Sequence, residues 1–335
     1  MTSKRPGAHY GAAIAGTGHY VPERVLTNED LTRWMDTSDE WITARTGVKE
    51  RRLAAEEESS GTMALAAARL ALADAGITAA DLDLIIVCTV TPEAALPSTA
   101  CLLQHRLGIA HKAIPAFDLS AACSGYLYGL ATAHAHMQIG GLDHVLLVGV
   151  DLLSRLTDYT SRSTSILFGD GAGAAVLRRT EGGERGVLYT RLCADGGGGE
   201  LIHATGPWGS GPGGGSAGFI QMDGPKVYKL AVTRMGEVIE AALKACGLSV
   251  ADVDMLVPHQ ANRRILESVA HKLGLGNDRV FINIDRVGNT SAASIPIAYD
   301  QCRRAGRIQP NDLVVMAAFG AGLTWGSAVI REGEA

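Results

Sequence analysis

A cysteine at position 123 stands in Leu119-Ser120-Ala121-Ala122-Cys123-Ser124-Gly125, between a strand-like run, Ile114 to Leu119, and a helix-like run, Tyr126 to Ile139. A thiol at such a turn meets the unpaired N–H groups and positive dipole end of a helix, so its pKa is expected to fall. Its neighbours are Ser, Ala and Gly, which leave room for another molecule to reach the sulfur. A packing cysteine accounts for the same local pattern, because buried free cysteines are common. Two other residues bear on the choice. His259 lies in Pro258-His259-Gln260-Ala261-Asn262, just after the apolar run Met255-Leu256-Val257, and Asn289 lies in Gly288-Asn289-Thr290-Ser291-Ala292. A cysteine with a distant histidine and asparagine is a candidate set for nucleophilic catalysis. Singly, the histidine reads as an ordinary surface or core residue and the asparagine as a turn residue.

A duplicated chain would bring the three together. Apolar runs alternate with amphipathic ones throughout, as strands crossing to helices do in a layered α/β protein. Ala71 to Ile86 aligns without gaps on Ala242 to Val257. Each copy is a helix ending at glycine, a short loop with Asp, and a buried strand. Phe168-Gly169-Asp170-Gly171-Ala172-Gly173 and the strand after it resemble Phe319-Gly320-Ala321-Gly322 followed by Gly326 to Ile330. Between these marks, the strand and turn carrying Cys123 correspond to Val280 to Ile284 and Gly288 to Ala292. The economical reading is two similar halves about a pseudo-twofold axis, 1–180 with the cysteine and 181–335 with the histidine and asparagine. The boundary is a solvated connector, Arg178 to Arg185. Cys123, His259 and Asn289 then arrive from equivalent loops at one sheet end, where open α/β folds place their sites.

Composition narrows the alternatives. The 335 residues are 47% hydrophobic and 19% charged, which suits one large or two modest cores. A formal charge of −5 without a long basic run argues against nucleic-acid binding. Six scattered cysteines with no CxxC pair read as reduced thiols rather than disulfides or a metal site. With no apolar stretch long enough to span a bilayer and a polar start, the expectation is a cytoplasmic protein without membrane contact. The glycine-rich stretches Asp195 to Gly199 and Gly206 to Gly218 read as surface loops, and neither they nor Gly169 to Gly173 carry phosphate-loop or dinucleotide spacing. His134 and His136, two apart on a helix, point to different faces, so no metal pair is expected.

The chain resembles the β-ketoacyl-acyl-carrier-protein synthase III family, condensing enzymes that start fatty acid chains. The resemblance runs from about Ile14 to Arg331. It covers Asp36 to Ile42, Arg45-Thr46-Gly47, the Ala121 to Gly125 turn, Phe168 to Gly173, Pro258 to Asn262, Gly288 to Ser294 and Gly322 to Gly326. It implies a thiolase-like fold of α-β-α-β-α layers and Cys123, His259 and Asn289 as the catalytic residues. It implies coenzyme A beside Thr37, Trp41, Arg45 and Arg162, and an acyl carrier protein facing Gln260, Ala261, Asn262, Arg263 and Arg264. It also implies a homodimer in which each subunit lends the Leu96 loop to its partner's acyl pocket, and no cofactor or metal.

On that reading Cys123 takes the acyl group from acyl-CoA as a thioester. Malonyl carrier protein then loses carbon dioxide, and His259 and Asn289 donate to the enolate oxygen. The backbone N–H groups of Cys123 and Ala321 form the second oxyanion hole. Ala321 replaces a glycine usual in the family, which would cost stability if the position needs φ > 0. Leu96 replaces a bulky aromatic, so starters larger than acetyl are expected. Glu93 reads as a solvated loop residue, with a carbanion-forming base as the sharper role. A charged face of the helix Ala261 to Leu273, with Arg263, Arg264, His271 and Lys272 outside its apolar stripe, suits an acidic carrier protein. The alternative function is a related priming ketosynthase or acyltransferase of a polyketide or other specialised pathway. A catalytically dead scaffold would have lost one of the three residues, and all are present.

Overall fold

The computed structural model describes residues 10–182, 185–205 and 218–333, within which two sheets repeat one topology. The first runs in the order Tyr10–Tyr20, Asp170–Glu181, His144–Leu152, Leu84–Cys88, Ala116–Leu119. The second runs Gly186–Ala194, Thr324–Arg331, Leu313–Gly320, Met255–Pro258. A parallel bridge from Leu256 to Val280 stands where the first sheet has its edge strand. Corresponding pairs match in direction: antiparallel, antiparallel, then parallel. The register makes the equivalence residue by residue. Leu84 pairs with Val145 as Met255 pairs with Val314, so Asp151 and Gly320 occupy the same position in the two sheets. The phenylalanines do not correspond: Phe168 precedes its strand, whereas Phe319 lies inside Leu313–Gly320.

Hydrophobic pattern decides which helix lies where. Gly125–Gly140 is apolar nearly all round, and a helix of that kind must be covered on every side. It and Ser294–Arg304 pack between the two sheets, in one core with Val145, Leu147, Val314 and Met316. Arg263–Leu273 buries a single stripe, Ile265, Leu266, Val269, Ala270 and Leu273, and lies with Gly224–Ala245 outside the second sheet. Ser60–Asp74 and Thr99–Arg106 cover the first sheet from outside. The result is five layers, α-β-α-β-α, with the starts of both central helices meeting between the sheets.

The strand Asp170–Glu181 extends into the expected connector, so Arg178 and Arg179 are strand residues, the latter paired with Asp143 at 2.6 Å. The first glycine-rich stretch leads into a short helical turn, Gly196–Leu201. The second lies, apart from Gly218, outside the described residues.

Candidate active site

The strand Ala116–Leu119 ends in a turn where Ala122 takes a left-handed φ of 48° before Cys123. The helix Gly125–Gly140 follows, and the side chain of its N-cap residue, Ser124, makes no capping hydrogen bond. Gly320 stands against this turn: a Cβ there would lie 2.9 Å from both Cβ and N of Cys123. The environment reverses one expectation. Burial pushes the Cys123 thiol up to about 12; the Ser291 hydroxyl opposes this and the Asp151 carboxylate adds to it. A helix terminus contributes about 0.3–1 kcal/mol, less than the roughly 1.4 kcal/mol of one pKa unit. Burial wins, and resting Cys123 is a neutral thiol.

His259 follows the strand Met255–Pro258, its N–H donating to Ala317 O at 2.8 Å. It is 1% exposed, and burial pulls its imidazole down to about 3. The ring is therefore neutral at physiological pH. Its Nδ1 finds no partner among the described residues, which leaves the single proton free to sit on Nε2. Asn289 is clamped by its backbone, donating to Leu167 O at 2.8 Å and accepting from Gly169 N–H at 3.0 Å. Its Oδ1 accepts the Ser291 N–H at 2.9 Å. A backbone N–H only donates, so the amide oxygen must sit there and the NH₂ is left to serve as a donor.

All three residues line one cavity of about 950 Å³. Trp41, Arg45 and Arg162 line it too, with the Arg45 guanidinium 4.5 Å and that of Arg162 4.6 Å from the Trp41 ring centroid. Lys229, Arg264 and Asp223 are its other charged lining residues, giving a cationic excess on an anionic chain. The Asn262 side chain caps the helix Arg263–Leu273 through Arg264 N–H and donates to Arg45 O at 3.0 Å, joining the helix Asp39–Thr46 to the His259 loop. Arg51, fully buried, holds the wall that carries Ile166 to Phe168. Its guanidinium donates to Leu26 O at 3.1 Å, Asn28 Oδ1 at 2.9 Å and Ile166 O at 2.9 Å. Burial lowers it to about 10, which still leaves it charged at neutral pH.

Two expected members stand elsewhere. Thr37 is not part of the cavity wall, and its buried hydroxyl lacks a partner among the described residues. Gln260 does not belong to a docking surface. It is fully buried, its amide donating to Pro258 O at 2.9 Å and Phe281 O at 3.0 Å and accepting from Asn283 N–H at 3.0 Å. Ala261 and Asn262 are half-buried, and Arg263 and Arg264 are exposed.

The family models for 3-oxoacyl-[acyl-carrier-protein] synthase III match residues 117–196, and for its C-terminal part residues 243–332. A β-ketoacyl-[acyl-carrier-protein] synthase III of Geobacillus kaustophilus is 48% identical over 324 residues, 97% of this chain and 100% of the relative. The chain belongs to this family. It is accordingly an acyltransferase-type condensing enzyme of thiolase-like fold. The crystal structure of the synthase III of Aquifex aeolicus superposes with a TM-score of 0.90 at 46% identity, covering 96% of this chain and 100% of that one. A priming β-ketosynthase of a polyketide pathway superposes at 0.91 over 100% of this chain and 99% of that one, but at 34% identity. The polyketide enzyme shares the backbone shape at lower identity than the Geobacillus and Aquifex synthases.

Other expectations change in detail. Ala321 is not among the residues with left-handed φ, so replacing glycine there brings no backbone strain. Glu93 is no free carboxylate: Arg106 grips it in a two-pronged pair at 2.6 and 2.7 Å, and the Ser59 hydroxyl donates at 2.9 Å. Arg106 is the main reason its carboxyl is held below the usual range. It lies outside the cavity wall. Leu96 is 87% exposed and absent from its own chain's cavity. Asp151 and Gly320 escaped the sequence reading, although Asp151 left a signal, a carboxylate closing the apolar run Val145 to Val150.

Proposed function

We propose that this synthase III accepts an acyl group from acyl-CoA on Cys123 and condenses it with malonyl carrier protein by decarboxylative Claisen chemistry, initiating fatty acid synthesis. The observation that carries the reading is the meeting of one thiol, one neutral imidazole and one oriented amide on the wall of a single cavity with cationic lining. In the first half-reaction the Cys123 sulfur bonds to the acyl carbon, the acyl–sulfur bond of CoA breaks, and the thiol proton leaves with CoA as its thiol. The Cys123 and Ala321 N–H groups hold the oxyanion. In the second, malonyl thioester loses carbon dioxide, and His259 Nε2–H and the Asn289 NH₂ stabilise the enolate oxygen. The enolate carbon attacks the acyl carbon, and the Cys123 thiolate departs and takes a proton from solvent. Neutral donors suit this work, since a carboxylate would repel the enolate.

Trp41, Arg45 and Arg162 would meet the CoA nucleotide, with Thr37 outside the wall as a neighbour. Arg263, Arg264, Ala261 and Asn262 would meet the carrier protein. The chain would act as a cytoplasmic homodimer, with Leu96 closing the partner's acyl pocket and the halves dividing near residue 180.

Intact mass after incubation with a panel of acyl-CoAs tests the assignment. Wild type should gain one acyl group, and Cys123→Ala should gain none and lose condensation entirely. His259→Ala and Asn289→Ala should still acylate, while malonyl decarboxylation falls about 10²–10³-fold. Undiminished acylation of Cys123→Ala would overturn the nucleophile.

A further inference from the structure

The Asn289 amide is aimed by its turn, and the turn is held from the other half of the molecule. Ser291, whose N–H fixes the Asn289 oxygen at 2.9 Å, is a buried non-glycine residue at φ 50°. The next N–H, that of Ala292, donates to Asp151 Oδ2 at 3.1 Å. Asp151 is fully buried at the end of the strand His144–Leu152. Its Oδ1 accepts the Thr89 hydroxyl at 3.1 Å, the Val90 N–H at 2.8 Å and the Thr91 hydroxyl at 3.1 Å. These donors come from the loop after Leu84–Cys88, in the first half. One carboxylate thus ties the loop of one half to the donor-bearing turn of the other.

We propose that Asp151 is a positioning residue for the second half-reaction: its carboxylate locks the Ser291–Ala292 turn and through it the direction of the Asn289 amide. This rests on the role proposed for Asn289. The bonding requires two accepting oxygens at this place, one for the Val90 N–H and one for the Ala292 N–H. Threonine hydroxyls can rotate and accept, but the Val90 and Ala292 N–H groups can only donate. An amide in place of the carboxylate therefore leaves one backbone N–H facing its own NH₂. The shorter Val90 bond keeps the oxygen there, and Ala292 loses its acceptor.

The test compares Asp151→Asn and the milder Thr89→Val with wild type, each alone and combined with Asn289→Ala. Asp151→Asn should acylate Cys123 within about threefold of wild type but decarboxylate malonyl carrier protein about 10²-fold more slowly, the size of losing one oxyanion donor. Thr89→Val, which removes the hydroxyl that donates to Asp151 and accepts the Thr91 N–H, should slow decarboxylation about threefold to tenfold. Neither should slow Asn289→Ala further, because both act through that amide. Parallel loss of both half-reactions, or additive losses in the double variants, would overturn the inference in favour of a merely structural carboxylate. If Asp151→Asn fails to fold, Thr89→Val with Asn289→Ala decides. Normal decarboxylation by Asn289→Ala would instead refute the role given to Asn289. Crystal structures of the two single variants then judge the positioning alone, and an unchanged Asn289–Ser291 bond in both would overturn it.

Discussion

Two turns of one shape face each other between the sheets. In each, a residue with left-handed φ begins a short helical turn, Ala122 at 48° before Cys123 and Ser291 at 50° before Ala292. Each turn leads into a central helix, and opposite each stands the same position of the other half's sheet. Opposite Ala292 that position is Asp151, whose carboxylate takes the Ala292 N–H at 3.1 Å. Opposite Cys123 it is Gly320, with no side chain. The second turn thus displays what the backbone of the first can do. Its N–H binds a carboxyl oxygen placed opposite it. One half uses that capacity to hold itself together. The other leaves it to a ligand, which supports the Cys123 N–H as an oxyanion donor.

The first way to break this comparison is to fill the position opposite the cysteine. In Gly320→Ala the new methyl would start 2.9 Å from Cys123 Cβ and N, too close for either to stay. Overpacking of this kind costs about 1–3 kcal/mol. If the shift falls on the reacting sulfur, Cys123 acylation should slow roughly 10–100-fold, at a rate read by intact mass. Acylation at the wild-type rate would mean that the approach of Gly320 has no part in shaping the acylation site.

The duplication itself explains what was legible in the sequence. The matched segments Ala71 to Ile86 and Ala242 to Val257 are local and gapless, so the equivalence of the halves and the three loop positions follow from pattern alone, whereas the strand order does not. Energies were harder to see. The Cys123 thiol, half-buried on the cavity wall, rises through loss of solvation, a property of packing that the helix start in the sequence does not announce. Gln260 sits among exposed loop types, yet Pro258, Phe281 and Asn283 enclose its amide, and two of those lie over twenty residues away. Asp151 depends on donors about sixty and about 140 residues distant along the chain. Long-range hydrogen bonds of this sort have no period or spacing to read.

A smaller effect sharpens the contrast between the strand ends that precede the two turns. By the matched segments, Cys88 occupies in the first half the position of His259 in the second. Both are buried and neutral, and burial is the largest cause of each shift, raising the Cys88 thiol and lowering the His259 imidazole to about 3. Only the histidine binds a proton in acid. Unfolded, its pKa is about 6.5, so between pH 6.5 and 3 the unfolded chain binds more protons and the native state loses ground as pH falls. Its contribution is intact above about pH 6.5 and falls by about 2 kcal/mol at pH 5. Urea unfolding at pH 7 and pH 5 should show that slope in wild type, and its absence in His259→Asn. Equal slopes would mean that the ring takes up its second proton as readily in the native state as in the unfolded chain.

The smallest expected effect concerns the loops that follow those strand ends. The His259 loop turns in to the cavity of its own chain, whereas the loop from Thr89 to Ser98 carries Leu96 outward, 87% exposed. The outward loop is nonetheless built firmly. Thr91 donates to Asp151 at its base, and the Glu93–Arg106 pair fastens its middle to the helix Thr99–Arg106. A large apolar side chain held out in this way costs solvation unless something covers it, and in the proposed dimer the partner's acyl pocket does so. Leucine leaves more room there than an aromatic ring, and one methylene in a fitted apolar site is worth roughly 1–3 kcal/mol of discrimination. Wild type should therefore take longer or branched starters at useful rates. Leu96→Phe should move the ratio of kcat/KM values toward acetyl-CoA by about tenfold. A variant as indifferent as wild type, or a monomeric active species near 35.0 kDa in sedimentation, would show that a wall within the subunit sets chain length.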